Sequence, residues 1–255
     1  MKNKSWLAPA IVGFSLCSLA FSRGDEPREV NMAGEKGVVF LIDGVGGFGF
    51  APKVMEKVLV EAGVPHELRH FYWSHGFGRW HADLTDDENI RRKASELSDS
   101  IMDTRVRARE RPIYVVAKSG GTAIALAALA QLPAESVDRV VLLSSAVSPN
   151  YDLAPALRSV RTDLVSFWSS RDKLILGVGT TIFGTADGMM GESAGLVGFR
   201  VPEQADAATV LQYRKLRQIE WGPSMRKTHN YGTHIGTSMP LFVREYVAPL
   251  IGGNP

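Results

Sequence analysis

Five short runs, rich in β-branched and aromatic side chains, recur along the chain with helix-like stretches between them. They are Gly37–Ile42, His66–Trp73, Ile113–Ala117, Arg139–Ser145 and Asp163–Trp168. Runs that are apolar almost throughout suit strands buried on both faces, and such strands alternate with helices in parallel sheets. The stretches between them fit. Lys53–Ala62 is amphipathic and closes on Gly63 and Pro65. Asp86–Arg109 places Ile90, Ala94, Leu97 and Ile101 at helical spacing before Pro112. Leu153–Val160 is a short helix. The expected fold class is α/β, a mostly parallel twisted sheet with helices on both faces. Ligands in such sheets gather beyond the C-terminal strand ends, so every candidate site residue should follow a strand.

The run Ile113–Ala117 leads through Lys118 into Ser119-Gly120-Gly121, and an alanine-rich segment of high helix propensity follows. Strand, sharp turn with a serine at its tip, helix: this is the outline of a nucleophile elbow, in which the serine hydroxyl stands clear of the sheet. Its neighbours have to be small because strand and helix nearly touch. Ala117 stands where the usual G-x-S-x-G pattern has its first glycine, and Gly121 fills the last. Taken alone, the stretch is equally a strand-to-helix loop with Ser119 as helix N-cap.

The first strand runs into Asp43-Gly44-Val45-Gly46-Gly47-Phe48-Gly49. Gly44–Gly49 spells G-x-G-x-x-G, the dinucleotide-binding fingerprint. In a nucleotide fold the third glycine lies within the helix, whereas Pro52 is expected at the first helical position here, which leaves Gly49 outside. Glu67 comes at the start of the next strand rather than at its end. The other reading of this turn is mechanical. A glycine-rich loop beside the elbow leaves backbone N–H groups free to complete an oxyanion hole.

Ser169-Ser170-Arg171-Asp172 directly follows the strand ending near Trp168, and His229-Asn230-Tyr231-Gly232-Thr233-His234-Ile235-Gly236 precedes a closing helix, Pro240–Leu250. With these residues in order, the chain from Val38 to Ile251 resembles the α/β-hydrolase superfamily, in its serine esterase and lipase-like branches. The resemblance implies a sheet trimmed at its N-terminal edge, since no room exists for the usual leading hairpin. It implies a catalytic order of serine, acid, histidine: Ser119 as nucleophile, Asp172 as acid and His234 as base. His229 is the rival base, and Asp163 and Asp187 are the rival acids. The oxyanion donors would be the N–H of Gly120 and one from Val45 or Gly46. Lys118 has no assigned role.

The loop after the second strand is rich in glycine, aromatics and histidine. Phe71, Trp73, His75 and Trp80 are the candidate substrate contacts, as the lining of an apolar pocket. Gly177–Phe199, glycine-laden, and a helix expected from about Ala207 to Trp221 form either a cover over the site or a surface excursion, around 177–221. The expected function is cleavage of an ester of small-molecule or lipid type, without cofactor. A non-catalytic binding protein on the same fold is the alternative, and a dinucleotide-binding protein using Gly44–Gly49 is the third reading.

At 255 residues with 45% hydrophobic and 22% charged content, the chain suits one globular domain, spanning 37–255. A net charge of +2 gives no ground for a nucleic-acid partner. Lys2 and Lys4 precede an apolar run from Trp6 to Phe21, the pattern of a secretory signal peptide over 1–22, with a polar linker over 23–36. The expectation is an exported protein without stable membrane insertion once the signal is cleaved, or one anchored by an uncleaved segment. The one cysteine, Cys17, lies in that segment, which leaves the rest without disulfide or thiolate. No spacing suggests a metal site.

Overall fold

A computed structural model of the chain describes residues 36–47, 49–172 and 191–252. The expected signal segment and most of the linker, Phe48, and residues 173–190 with Asp187 and much of the glycine-rich stretch lie outside the described residues. The elements are β1 (Val38–Ile42), α1 (Phe50–Glu61), β2 (Glu67–Phe71), α2 (Trp80–Thr85), α3 (Asp87–Arg107), β3 (Ile113–Lys118), α4 (Gly121–Gln131), β4 (Val137–Leu143), α5 (Ala154–Ser159) and β5 (Val160–Trp168). A single helical turn α6 (Ala194–Val197), α7 (Ala207–Tyr213), β6 (Leu216–Glu220) and a helical closing segment follow.

The six strands form one sheet in the order β2-β1-β3-β4-β5-β6, every pair parallel. Strand alternation divides the core. Val38, Phe40 and Ile42 of β1 join Val115 and Ala117 of β3 under α3, α4 and α5. Val39 and Leu41 join Val116, Val141 and Leu143 under α1 and the closing segment. Both faces are therefore covered, and all five β1 residues are buried. The order reverses between β1 and β3, so the crevice of such a sheet opens where the loops after these two strands meet.

Two expectations need correction. The stretch read as one helix from Ala207 to Trp221 is α7 followed by the edge strand β6. Tyr213, the last helical residue, turns its hydroxyl inward to accept from the Leu153 N–H. Lys215 then reaches the Leu157 and Val160 carbonyls, and the chain straightens against β5. The other correction is Pro52, which is the third residue of α1 rather than the first. A proline is tolerated there because the first-turn N–H groups have no helical partner anyway. Gly49, at φ 60°, caps α1 from outside it.

The closing segment is also less regular than a plain helix. Pro240–Phe242 is α-helical, Val243–Val247 widens to π geometry, and Ala248–Ile251 tightens to 3-10 geometry around Pro249, which has no N–H to donate.

Candidate active site

Ser119 stands between the end of β3 and the start of α4 with φ 51°, a left-handed conformation that costs a non-glycine residue roughly 1–2 kcal/mol. The surroundings hold it there. Its N–H donates to the Leu143 carbonyl of β4 at 2.9 Å, which prolongs the strand ladder by one bond. Its carbonyl accepts from the Thr122 hydroxyl at 2.6 Å. A Cβ on Gly121 would stand 2.1 Å from the Asp43 carbonyl oxygen, and one on Gly120 would stand 2.6 Å from Val45 Cγ1. The two glycines after the serine are thus demanded by the approach of α4 to β1 and its loop. Ala117 is wholly buried between Ile42 and Leu142 and needs no glycine.

The glycine-rich loop after β1 lies against this elbow. A Cβ on Gly44 would come within 3.1 Å of the Ser119 Cβ. The N–H groups of Gly120 and Val45 make no hydrogen bond among the described residues. The Gly46 N–H, the other candidate donor, is committed to Asp83 Oδ2 at 2.7 Å, which leaves Val45 as the donor from this loop. Gly49 lies outside its helix and Gly44 packs against the elbow, whereas a dinucleotide fold has its third glycine within the helix. Glu67, at the N-terminal end of β2, is held by Arg69 and Arg111.

Asp172 and His234 meet. Nδ1 of His234 lies 2.9 Å from Asp172 Oδ2, and both residues are mostly buried, with side-chain exposures of 12% and 2%. Their loops are stitched together. The Ser169 hydroxyl donates to the Gly232 carbonyl at 2.7 Å, and the Gly232 N–H donates to Asn230 Oδ1 at 2.9 Å. Gly236 is held close to the Asn230 side chain, where a Cβ would stand 2.1 Å from Oδ1. Lys118, the residue before Ser119, donates from Nζ to the His234 carbonyl at 2.6 Å, which brings the histidine loop to the end of β3. Ser119 Oγ makes no hydrogen bond to the imidazole among the described residues. In substrate-free enzymes this bond is often long and tightens on binding.

Burial, then the Lys118 ammonium, push the His234 imidazole below its ordinary range, against the pull of Asp172. Lys118 itself is pushed down to about 8 by burial, with Asp172 and Asp43 opposing. Burial also raises the Asp43 carboxyl, against the N–H groups of Gly44 and Gly49 and the lysine charge.

The rivals fall elsewhere. His229 caps a 3-10 turn at φ 60° and is exposed. Asp163 lies early in β5, at the opposite end of the strand from Asp172, paired with Arg139 and Arg217. Of the aromatic candidates, Phe71 and Trp73 line a cavity of about 130 Å³ beyond β1 and β2, together with Asp43, Gly44, Tyr72 and Ser74. Trp73 is otherwise buried, with its indole N–H on the Asp43 carbonyl and its ring against Gly120. Trp80 opens α2, partly exposed and edge-on to His81. His75 has both ring nitrogens on carboxylates, Asp83 at 2.9 Å and Asp86 at 3.0 Å, so its ring faces protein rather than the cavity.

Sequence reading missed Asp83 and Thr237. Asp83 is fully buried and takes the Gly46 N–H, the His75 N–H and His75 Nδ1. Nothing in Trp80-His81-Ala82-Asp83 distinguishes it from a helix-surface acid. Thr237 accepts from Lys118 Nζ at 3.1 Å, and its place three residues after His234 was the available signal. Among the described residues no group of side chains is arranged to hold a metal ion, and no helix is long and apolar enough to cross a membrane.

No family model matches the sequence, and no curated protein matches it. Solved structures do resemble the fold. Lipase B of Aspergillus fumigatus superposes with a TM-score of 0.50 at 12% identity, over 89% of this chain and 55% of that one. An esterase of Pyrococcus furiosus gives 0.49 at 10% identity, over 86% and 83%. A cutinase-like protein from Cryptococcus sp. gives 0.47 at 12% identity, over 86% and 97%. An identity this low speaks to architecture alone: the superposition on lipase B, with the parallel six-stranded order, shows an α/β fold of the kind that lipase has.

Proposed function

We propose that the chain is an exported serine hydrolase that cleaves an ester through Ser119, His234 and Asp172. The observation that carries this reading is the Asp172–His234 pair, held by Lys118 at the strand end from which the strained Ser119 projects. The neighbour of like fold that is named a lipase supports an ester as the substrate class.

In this mechanism Ser119 Oγ attacks the ester carbonyl carbon while its proton passes to His234 Nε2. Asp172 keeps the other ring nitrogen protonated and stabilises the imidazolium that forms. The carbonyl oxygen, now an anion, accepts from the N–H groups of Gly120 and Val45. The C–O bond to the alcohol breaks as His234 returns the proton to that oxygen. Water, deprotonated by the same imidazole, then releases the acid from the acyl-enzyme. The cavity beside Gly44, lined by Phe71 and Trp73, is where an apolar acyl or alcohol group would lie.

A fluorophosphonate probe tests the nucleophile: labelling of the wild type that vanishes in Ser119→Ala supports the reading, and an unlabelled, folded wild type sinks it. Because burial holds the His234 proton affinity below the ordinary imidazole range, the neutral base persists to lower pH than for a free histidine. The kcat/KM of ester hydrolysis should therefore fall only at pH below the ordinary imidazole range. Loss of activity beginning well above it would contradict the assignment. For export, N-terminal sequencing of the protein recovered outside the cytoplasm should start near Arg23, and an intact Met1 would refute signal cleavage.

A further inference from the structure

Lys118 is the last residue of β3 and 7% exposed, so a lysine has been placed inside the protein directly before the serine nucleophile. Burying an ammonium is costly unless it is hydrogen-bonded and balanced by opposite charge. Both acceptors of this one belong to the segment that carries the base: the His234 carbonyl at 2.6 Å and Thr237 Oγ1 at 3.1 Å. Thr237 is fixed in turn by the Ser144 hydroxyl at 3.3 Å, at the end of β4, where Ser144 takes the same left-handed φ of 51° as Ser119. The charged groups that face the amine are Asp43 from the loop after β1 and Asp172 from the loop after β5, with the titratable His234 beside it. The lysine therefore bonds the segment after β6 to the end of β3, under the charge of carboxylates from the loops after β1 and β5. It makes no hydrogen bond to the Ser119 hydroxyl.

We propose that Lys118 is a positioning residue, which ties the backbone of the base His234 to the elbow of the nucleophile so that the imidazole stands ready for the Ser119 proton. This rests on the hydrolase reading above and adds to it a component outside the triad. The base has two tethers of different kind. Asp172 fixes the ring through Nδ1, and Lys118 fixes the main chain through the carbonyl. A ring held by one tether alone can swing about its side-chain bonds. Misplacement of about 1 Å in a reacting group costs on the order of 10²-fold in rate. The amine has a second consequence through space, because its positive charge disfavours protonation of the imidazole.

The test uses the full chain, p-nitrophenyl acetate as substrate and a fluorophosphonate as label. In Lys118→Met, kcat should fall about tenfold to 10²-fold with KM little changed, while labelling still depends on Ser119. The acid limb of kcat/KM should move to higher pH, because a positive charge has left the neighbourhood of His234. Lys118→Gln, whose amide can still donate to the His234 carbonyl, should recover part of kcat but keep the displaced acid limb. A role in stability alone predicts a lowered melting temperature with no recovery of kcat in Lys118→Gln relative to Lys118→Met, and that result would overturn the proposal. So would wild-type kcat in folded Lys118→Met. Should that variant not fold, Lys118→Gln decides: a kcat below the wild type with KM little changed supports the tether, and a wild-type kcat refutes it. If neither the wild type nor any variant is labelled, the hydrolase reading itself has failed and this inference falls with it. That outcome is distinct from labelling that persists without any effect of Lys118.

Discussion

The two backbone N–H groups that would hold the oxyanion are positioned by different physics. On the elbow, Gly120 is held by packing and neutral hydrogen bonds: Ser119 N–H on Leu143, the Thr122 hydroxyl on the Ser119 carbonyl, and α4 pressed against the Asp43 carbonyl through Gly121. On the facing loop, Val45 is held by charge. The next residue, Gly46, donates to the buried Asp83, which also grips the His75 N–H and ring, and His75 extends to Asp86. One half of the proposed oxyanion site is a jigsaw contact that pH cannot reach. The other is an aspartate–histidine–aspartate clamp that it can.

Crowding the packed half should have the largest effect. Gly121→Ala places a methyl 2.1 Å from a main-chain oxygen with no flexible side chain to yield. Overpacking of this kind costs about 3 kcal/mol or more, because α4 can retreat only by tearing its contacts with β1. Urea denaturation should show that loss at every pH. A midpoint within experimental error of the wild type would mean that helix and strand are not as tightly opposed as drawn.

The charged half should break next, and with a different signature. Asp83 uses one oxygen for His75 and the other for Gly46. Asp83→Asn conserves the shape but turns an NH2 towards one set of donors. Hydrogen bonds to a charged group are worth about 1.5–3 kcal/mol, so stability should drop by about that much. If the Gly46 bond is the one lost, the Val45 donor drifts and kcat falls by about 10²–10³. Stopped assays with p-nitrophenyl acetate would read kcat and KM separately. A loss confined to KM would sever the clamp from the oxyanion site.

These two halves were unequally legible in the sequence, for physical reasons. The elbow announced itself because close packing demands glycine, and Gly120-Gly121 after a strand is a local pattern. Asp172 and His234 were found through order along the chain, since each follows a strand end or precedes the closing helix. The Asp83 clamp left no local trace. Its three partners are 8 and 37 residues away in chain position or on the same histidine ring. The burial of an aspartate in a short polar helix depends on the fold, not on its neighbours. β6 was misread for a related reason. Leu216-Arg217-Gln218-Ile219-Glu220 is an edge strand paired on one side alone, and the Gln218 amide spends both its atoms on the Phe199 backbone beyond that edge. Its apolar spacing of three, Leu216 to Ile219, looks helical.

A pH series separates the halves without touching either backbone. Asp83 holds the His75 proton above the usual imidazole range; burial opposes this and Asp86 assists. Burial would raise Asp83 in turn, but the N–H groups of His75 and Gly46 outweigh it and lower its pKa. A raised folded-state pKa contributes stability that is full below the unfolded value and fades as pH climbs through the folded one. A lowered one contributes stability present above the unfolded value and lost as pH falls through the folded one. The clamp is thus strongest between the ordinary aspartate and ordinary imidazole values, and it fades as pH falls through the lowered Asp83 value or climbs through the raised His75 value. His75→Gln should be less stable than the wild type in that window, and the gap should close as pH rises past it. The deficit of Gly121→Ala should be the same throughout. A His75→Gln gap that stays constant to high pH would mean the imidazole acts by shape alone.

The smallest effect should come from the same substitution at the far end of the clamp. Asp86 faces His75 Nε2 at 3.0 Å but its side chain is 42% exposed, where the fully buried Asp83 is not exposed at all. It also caps α3 by accepting from the Asn89 N–H at 2.9 Å, a role that asparagine fills as well as aspartate. In Asp86→Asn, water replaces the carboxylate beside the imidazole, and screening already weakens such an exposed pair. Both kcat and the urea midpoint should stay close to wild type, with the small residual difference erased by salt. The value of the variant lies in its pairing with Asp83→Asn, since each takes one negative charge from the same histidine. If the two lower kcat equally, the imidazolium charge governs the loop. If Asp83→Asn alone lowers it, the bond from Asp83 to the Gly46 N–H is what keeps Val45 turned towards the oxyanion.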